Sequence, residues 1–113
     1  IINISSQHGM VGTPGHVAYC AAKGAVVNLT RQLAVDFARR GIIVNAIAPG
    51  KILTAPLDEP NTEAILEYSR ARTPFPRLGE PEDVARAAVW MASDECTFVS
   101  GTNVLVDGGW MAY

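Results

Sequence analysis

Apolar positions along this chain come in blocks that change period. Residues 1–5, Ile-Ile-Asn-Ile-Ser, form a short isoleucine-rich run of the kind that parallel sheets bury on both faces. Residues 17–39 then repeat Ala22, Val26, Leu29, Leu33 and Phe37 at three- and four-residue spacing. This predicts a helix with those residues as its buried stripe, and Gly41 stands where a C-cap belongs. Residues 42–47 return to a β-branched run and predict the next strand. Strand, helix and strand in that order predict an α/β fold with a parallel sheet and crossover helices.

From residue 54 to 77 the pattern breaks around Pro56, Pro60, Pro74 and Pro76, with a short amphipathic helix predicted over 62–71. A long excursion leaving the end of a strand predicts a substrate lid. Pro81 suits the first turn of a further helix, where Glu80, Glu82 and Asp83 complement its positive end and Val84, Ala88 and Met91 make its inner stripe. Trp90 is assigned to the core. Residues 103–107 read as the last strand, and Gly108-Gly109 ends it. The apolar tail Trp110, Met111 and Tyr113 is expected to pack against another surface.

In open parallel sheets, ligands sit beyond the carboxyl ends of the strands. The loops after residues 5 and 47 both lie there, so Ser6 and Pro49-Gly50 are expected to face one cleft. Between Ser6 and Lys23 the sequence SQHGMVGTPGHVAYCAAK holds no charged residue before Lys23. Tyr19 and Lys23 stand at i,i+4, on one face of the predicted helix. An ammonium group so placed favours phenolate and draws the phenol toward the working range of an acid/base catalyst. Ser6, on the opposite side of its strand from Ser5, could hydrogen-bond a substrate oxygen. The plainer readings are a snorkelling lysine for Lys23 and a loop cap for Ser6. His8 and His16 flank the same cleft, and His8 is a candidate substrate contact. No third ligand stands at metal spacing beside them, so no metal site is expected.

Composition narrows the partners. The 113 residues carry a net charge of −2 with 49% hydrophobic and 18% charged residues, and the basic residues are scattered. This argues for one domain with a real core and against nucleic-acid or membrane binding. Cys20 and Cys96 form no C-x-x-C pair, which points to two reduced thiols and a cytoplasmic location.

Five motifs in order resemble the later half of a short-chain dehydrogenase/reductase. They are Asn3-Ile4-Ser5-Ser6; Tyr19-x-x-x-Lys23; Asn45-Ala46-Ile47-Ala48-Pro49-Gly50 with Lys51 to Thr54; Gly79-Glu80-Pro81-Glu82-Asp83-Val84-Ala85; and Val99-Ser100-Gly101 through Val106-Asp107-Gly108-Gly109. The resemblance covers the whole sequence and implies the later half of a Rossmann-type, doubly wound parallel sheet. It implies a catalytic set of Ser6, Tyr19 and Lys23, with Ser6 thirteen residues before Tyr19. Tyr19 would exchange the hydroxyl proton, Lys23 would hold the nicotinamide ribose, and Ser6 would orient the substrate oxygen. Pro49, Gly50, the backbone of Ile52 and the Thr54 hydroxyl would shape the nicotinamide site.

NAD or NADP is the implied cofactor, and a small alcohol or ketone the implied substrate. The arginines and Lys51 around the excursion favour a sugar or polyol, with a 3-oxoacyl thioester as the alternative. Subunit contacts in this family commonly involve such tails and the helix after the tyrosine, so a homodimer or homotetramer is expected. The family's phosphate-binding Thr-Gly-x-x-x-Gly-x-Gly loop is not in this sequence, and the chain opens on Ile1 within a strand-like run. Both predict the C-terminal part of a longer catalytic domain, aggregation-prone in isolation, with a truncated, non-catalytic binding module as the second reading.

Overall fold

The computed structural model describes residues 1–54 and 62–113. Pro56, Pro60 and the rest of residues 55–61, the first part of the predicted lid, lie outside the described residues. Three parallel strands run in the order β1 (Ile2–Ile4), β2 (Asn45–Pro49), β3 (Asn103–Val106). Among the described residues, three α-helices accompany them: α1 (Val17–Phe37), α2 (Thr62–Arg72) and α3 (Pro81–Ala92). No helix among the described residues is long and apolar enough to cross a membrane.

β2 is the centre of the sheet. Ala46, Ile47 and Ala48 are fully buried, so side chains of both parities are covered, as expected for a strand between two neighbours with helices packed on it. Its bounds differ from the predicted 42–47. Pairing of Ala46–Pro49 with Asn103–Val106 draws the strand two residues onward, and residues 42–44 lead into it. The Asn45 amide fixes the entry to β3: its Nδ2 donates to the Val99 carbonyl at 2.6 Å and its Oδ1 accepts the Thr102 N–H at 3.1 Å.

α1 ends in a 3₁₀ turn over Ala38–Arg40, closed by Gly41 in the left-handed region at φ 71°. Its buried residues are Val27, Thr30 and Ala34. The predicted stripe was rotated from this face, and Leu29 is 51% exposed. The helix carries apolar residues on more than one side, so periodicity alone did not single out the inner one. Thr30 joins helix to sheet, its Oγ1 accepting from Asn3 Nδ2 at 2.9 Å. On α3, Met91 is buried and Val84 and Ala88 are half-buried, as predicted. Trp90 corrects the sequence assignment: it lies on the outer side of α3, 41% exposed.

The tail packs inward through Trp110, while Tyr113 stays 77% exposed. The Asp107 carboxylate accepts the Gly109 and Met111 N–H groups, each at 2.9 Å, across a turn in which Gly108 and Gly109 take positive φ. That turn buries Trp110, which is 7% exposed.

Candidate active site

At the carboxyl ends of β1 and β2 lies a cavity of about 600 Å³. Ser6, Tyr19 and Gly50 line it together, and Ala64, Ile65, Tyr68 and Ser69 of α2 line it from the excursion side. β1 delivers Ser6. Its neighbour Ser5 turns the other way, its hydroxyl shared between Asn103 Oδ1 and, at 3.0 Å, the Ile47 carbonyl. Ser6 itself is 5% exposed and its Oγ accepts the His8 N–H at 3.2 Å, so it caps the following 3₁₀ turn and lines the cavity at once. The capping and functional readings of this hydroxyl are therefore geometrically compatible.

Tyr19 sits in the first turn of α1, 45% exposed, with the His16 ring edge-on at a centroid distance of 6.4 Å. One turn later, Lys23 places Nζ 5.9 Å from the Tyr19 ring centroid and donates to the Ile4 carbonyl at 3.0 Å. Lys23 does not line the cavity, and neither do Pro49, Ile52 and Thr54. Ile52 lies just beyond, in an isolated parallel bridge with Gly79. The bridge uses Lys51 and Leu53: Gly79 N–H donates to the Lys51 carbonyl at 3.0 Å, and Leu53 N–H donates to the Gly79 carbonyl at 2.8 Å. The N–H and C=O of Ile52 face away from it and have no hydrogen-bond partner among the described residues. One donor and one acceptor on a single residue match the two halves of a carboxamide.

The structure adds residues that the motifs did not mark. Gln7, Tyr68 and Trp110 line the cavity. The His8 ring meets Trp110 edge-on at 5.7 Å, and the Arg72 guanidinium lies over the Trp110 ring at 4.4 Å. His8 Nδ1 and Gln7 Oε1 are buried without a partner among the described residues. Burial, and then the nearby His16, hold the His8 imidazole below its usual range. Trp110 was legible only as an apolar tail residue; its place in the wall depends on a turn that brings the two ends of the sequence together.

The family pattern described as "Enoyl-(Acyl carrier protein) reductase" matches residues 1–111. The chain is 44% identical to 2-(S)-hydroxypropyl-CoM dehydrogenase 3 of Xanthobacter autotrophicus, across 99% of this chain and 46% of that protein. A putative NAD(P)-dependent gluconate 5-dehydrogenase from Beutenbergia cavernae with bound NADP superposes at TM-score 0.91 and 43% identity. It is matched by 100% of this chain over 46% of its own. A 4-hydroxyisoleucine dehydrogenase complexed with NADH superposes at TM-score 0.89 and 34% identity, again over 46% of that chain. The chain thus spans about half the length of the relatives it matches. Motif order, fold and relatives agree, and the chain belongs to the short-chain dehydrogenase/reductase family of NAD(P)-dependent oxidoreductases.

Proposed function

We propose that this chain is the catalytic half of an oxidoreductase that interconverts a secondary alcohol and a ketone with NAD or NADP. The observation that carries the reading is that Ser6 and Tyr19 line one cavity while the Lys23 ammonium stands one helical turn from the phenol. Tyr19 Oη takes the proton from the alcohol in one direction and returns it to the ketone oxygen in the other. Ser6 Oγ holds that same oxygen by a hydrogen bond. Lys23 has spent one N–H on Ile4, and its remaining donors are available to ribose hydroxyls. Its positive charge favours the negative charge that develops on the phenol oxygen.

The N–H and C=O of Ile52, without a hydrogen-bond partner among the described residues, suit the nicotinamide carboxamide, with the Thr54 hydroxyl and Pro49-Gly50 completing that part of the site. Bound there, a nicotinamide ring supplies or accepts the hydride. α2 acts as part of the lid, supported by Ala64, Ile65, Tyr68 and Ser69 in the cavity wall. A polar substrate such as a sugar or polyol fits a wall that also carries Thr13, His8 and His16, and it agrees with the gluconate 5-dehydrogenase named above.

The protein acts as a homodimer or homotetramer in the cytoplasm. Leu29 and Val35 on the outer side of α1, the latter 74% exposed, support the first, and the unpaired thiols of Cys20 and Cys96 support the second. The test of activity is turnover of a panel of secondary alcohols by the full-length protein with each dinucleotide. Tyr19→Phe is expected to lower the rate roughly 10²–10⁴-fold. Full turnover in that variant would overturn the assignment.

A further inference from the structure

Among the described residues, the charge lining the cavity beside Tyr19 has one sign. Lys51 is the charged side chain in that wall, His8 and His16 add imidazole hydrogen-bonding groups, and none of the described residues there is Asp or Glu. The chain as a whole runs the other way, with 11 acidic residues against 9 basic ones. The bias therefore belongs to the cavity. Arg72 strengthens it from behind, since its guanidinium packs on the ring of Trp110, and Trp110 is part of the wall. Burial first, and then the nearby His16, oppose a charge on His8. An anion beside the two imidazoles would offset the second of these and accept hydrogen bonds from both rings.

We propose that this cavity binds the carboxylate of a hydroxy-acid substrate, with Lys51 as its principal charge partner and His8 and His16 as donors. A lysine ammonium is a compact point charge on a flexible stem, suited to a carboxylate whose position varies with the substrate. Ser6 and Tyr19 stand in the same wall, so an acid held by Lys51 and the histidines presents its hydroxyl where proton transfer is assigned. The fate of that hydroxyl rests on the dehydrogenase reading above. The anion site itself does not.

Lactate and lactamide, which share a secondary alcohol and differ in one charge, test the proposal on the full-length protein. Titration calorimetry in the presence of NADH is expected to show lactate binding about tenfold or more tightly than lactamide, the size of one charge-assisted contact. Lys51→Met should abolish the discrimination, and His16→Gln should weaken it. In turnover, Lys51→Met should raise KM for hydroxy acids with kcat little changed, and leave KM for the dinucleotide unmoved.

Equal binding of lactate and lactamide overturns the proposal. So does discrimination that survives the Lys51→Met, His16→Gln double variant. A shift in dinucleotide KM in place of the lactate KM would assign Lys51 to cofactor phosphates and overturn it as well. Lactate binding that needs Lys51, without turnover of any alcohol, would uphold the anion site and remove the dehydrogenase reading. Turnover of neutral alcohols with no preference for acids would do the reverse.

Discussion

Lys23 donates its ammonium to the carbonyl of Ile4, the last residue of β1, at 3.0 Å. One side chain thereby fastens α1 to the strand that delivers Ser6 while its Nζ stays 5.9 Å from the centroid of the Tyr19 ring. Lys23→Met in the full-length protein is expected to cost both. Loss of a charged hydrogen bond in an exposed setting is worth about 1 kcal/mol of stability. Tyr19→Phe, whose phenol makes no hydrogen bond among the described residues, should leave the melting temperature unchanged. Parallel thermal melts and turnover of the two variants check this: turnover should fall in both, and stability only in Lys23→Met.

Ser5 and Ser6 are adjacent and separate by role. Ser5 is buried and bound to Asn103 and Ile47, so Ser5→Ala leaves the Asn103 carboxamide oxygen without that donor and should destabilise by about 1–3 kcal/mol. Ser6→Ala removes one cap contact and the hydroxyl beside Tyr19. It should lower turnover strongly and stability by about 1 kcal/mol or less. Chemical denaturation and initial rates on the two variants give the comparison. Loss of activity in Ser5→Ala with full activity in Ser6→Ala would reverse the assignment.

The sequence made local features readable and left long-range ones hidden. Ser6 follows a strand end, and Tyr19 and Lys23 lie on successive turns at the start of one helix, so their closeness was readable from local spacing. Gly41 and Pro81 marked a helix end and a helix start by their own backbone limits. The face of α1 was not readable, because Leu29 and Val35 are apolar and yet point outward. The tryptophans show the same limit. Trp90 lies on a helix with a clear inner stripe and still faces out, while Trp110 was read as a tail and is buried. Its burial follows from the Asp107 turn and from His8 and Arg72, residues far away in sequence. No periodicity reports such a contact.

Gly50 is required by the sheet. A Cβ there would lie 2.8 Å from Asp107 Cα and 2.9 Å from its Cβ, closer than such atoms approach, and 3.1 Å from Gln7 Oε1. The Gly50 N–H donates to the Val106 carbonyl at 3.0 Å, so neither backbone can readily yield. Gly50→Ala is therefore expected to destabilise by about 1–3 kcal/mol, as overpacking does. Asp107 holds the turn that seats Trp110, so turnover should fall with it. Gly12→Ala is the control: nothing lies within 4 Å of its added Cβ. Equal melting temperatures for the two variants would remove the packing argument.

Arg77 grips Asp83 with both arms, Nη1 to Oδ2 at 2.6 Å and Nη2 to Oδ1 at 2.8 Å, and Asp83 Oδ2 also accepts the Glu80 N–H at 2.8 Å. The pair joins the end of the excursion to the first turn of α3. Arg77 first, and then the Glu80 N–H, hold the Asp83 carboxyl well below the usual carboxylate range. A carboxyl group with a depressed folded pKa stabilises the fold fully above its unfolded pKa, near 3.8. That stabilisation drains away as pH falls from there toward the folded value. The difference in melting temperature between the native protein and Asp83→Asn should hold steady from about pH 5 to pH 8 and narrow below about pH 4. Arg77 is 45% exposed and Asp83 22% at the side chain, so solvent screens the pair. The gap should be small and shrink further with added salt. Melts of both proteins across pH at low and high ionic strength measure it. A gap that stays constant down to about pH 2 would show that the carboxylate is not what ties the excursion to α3.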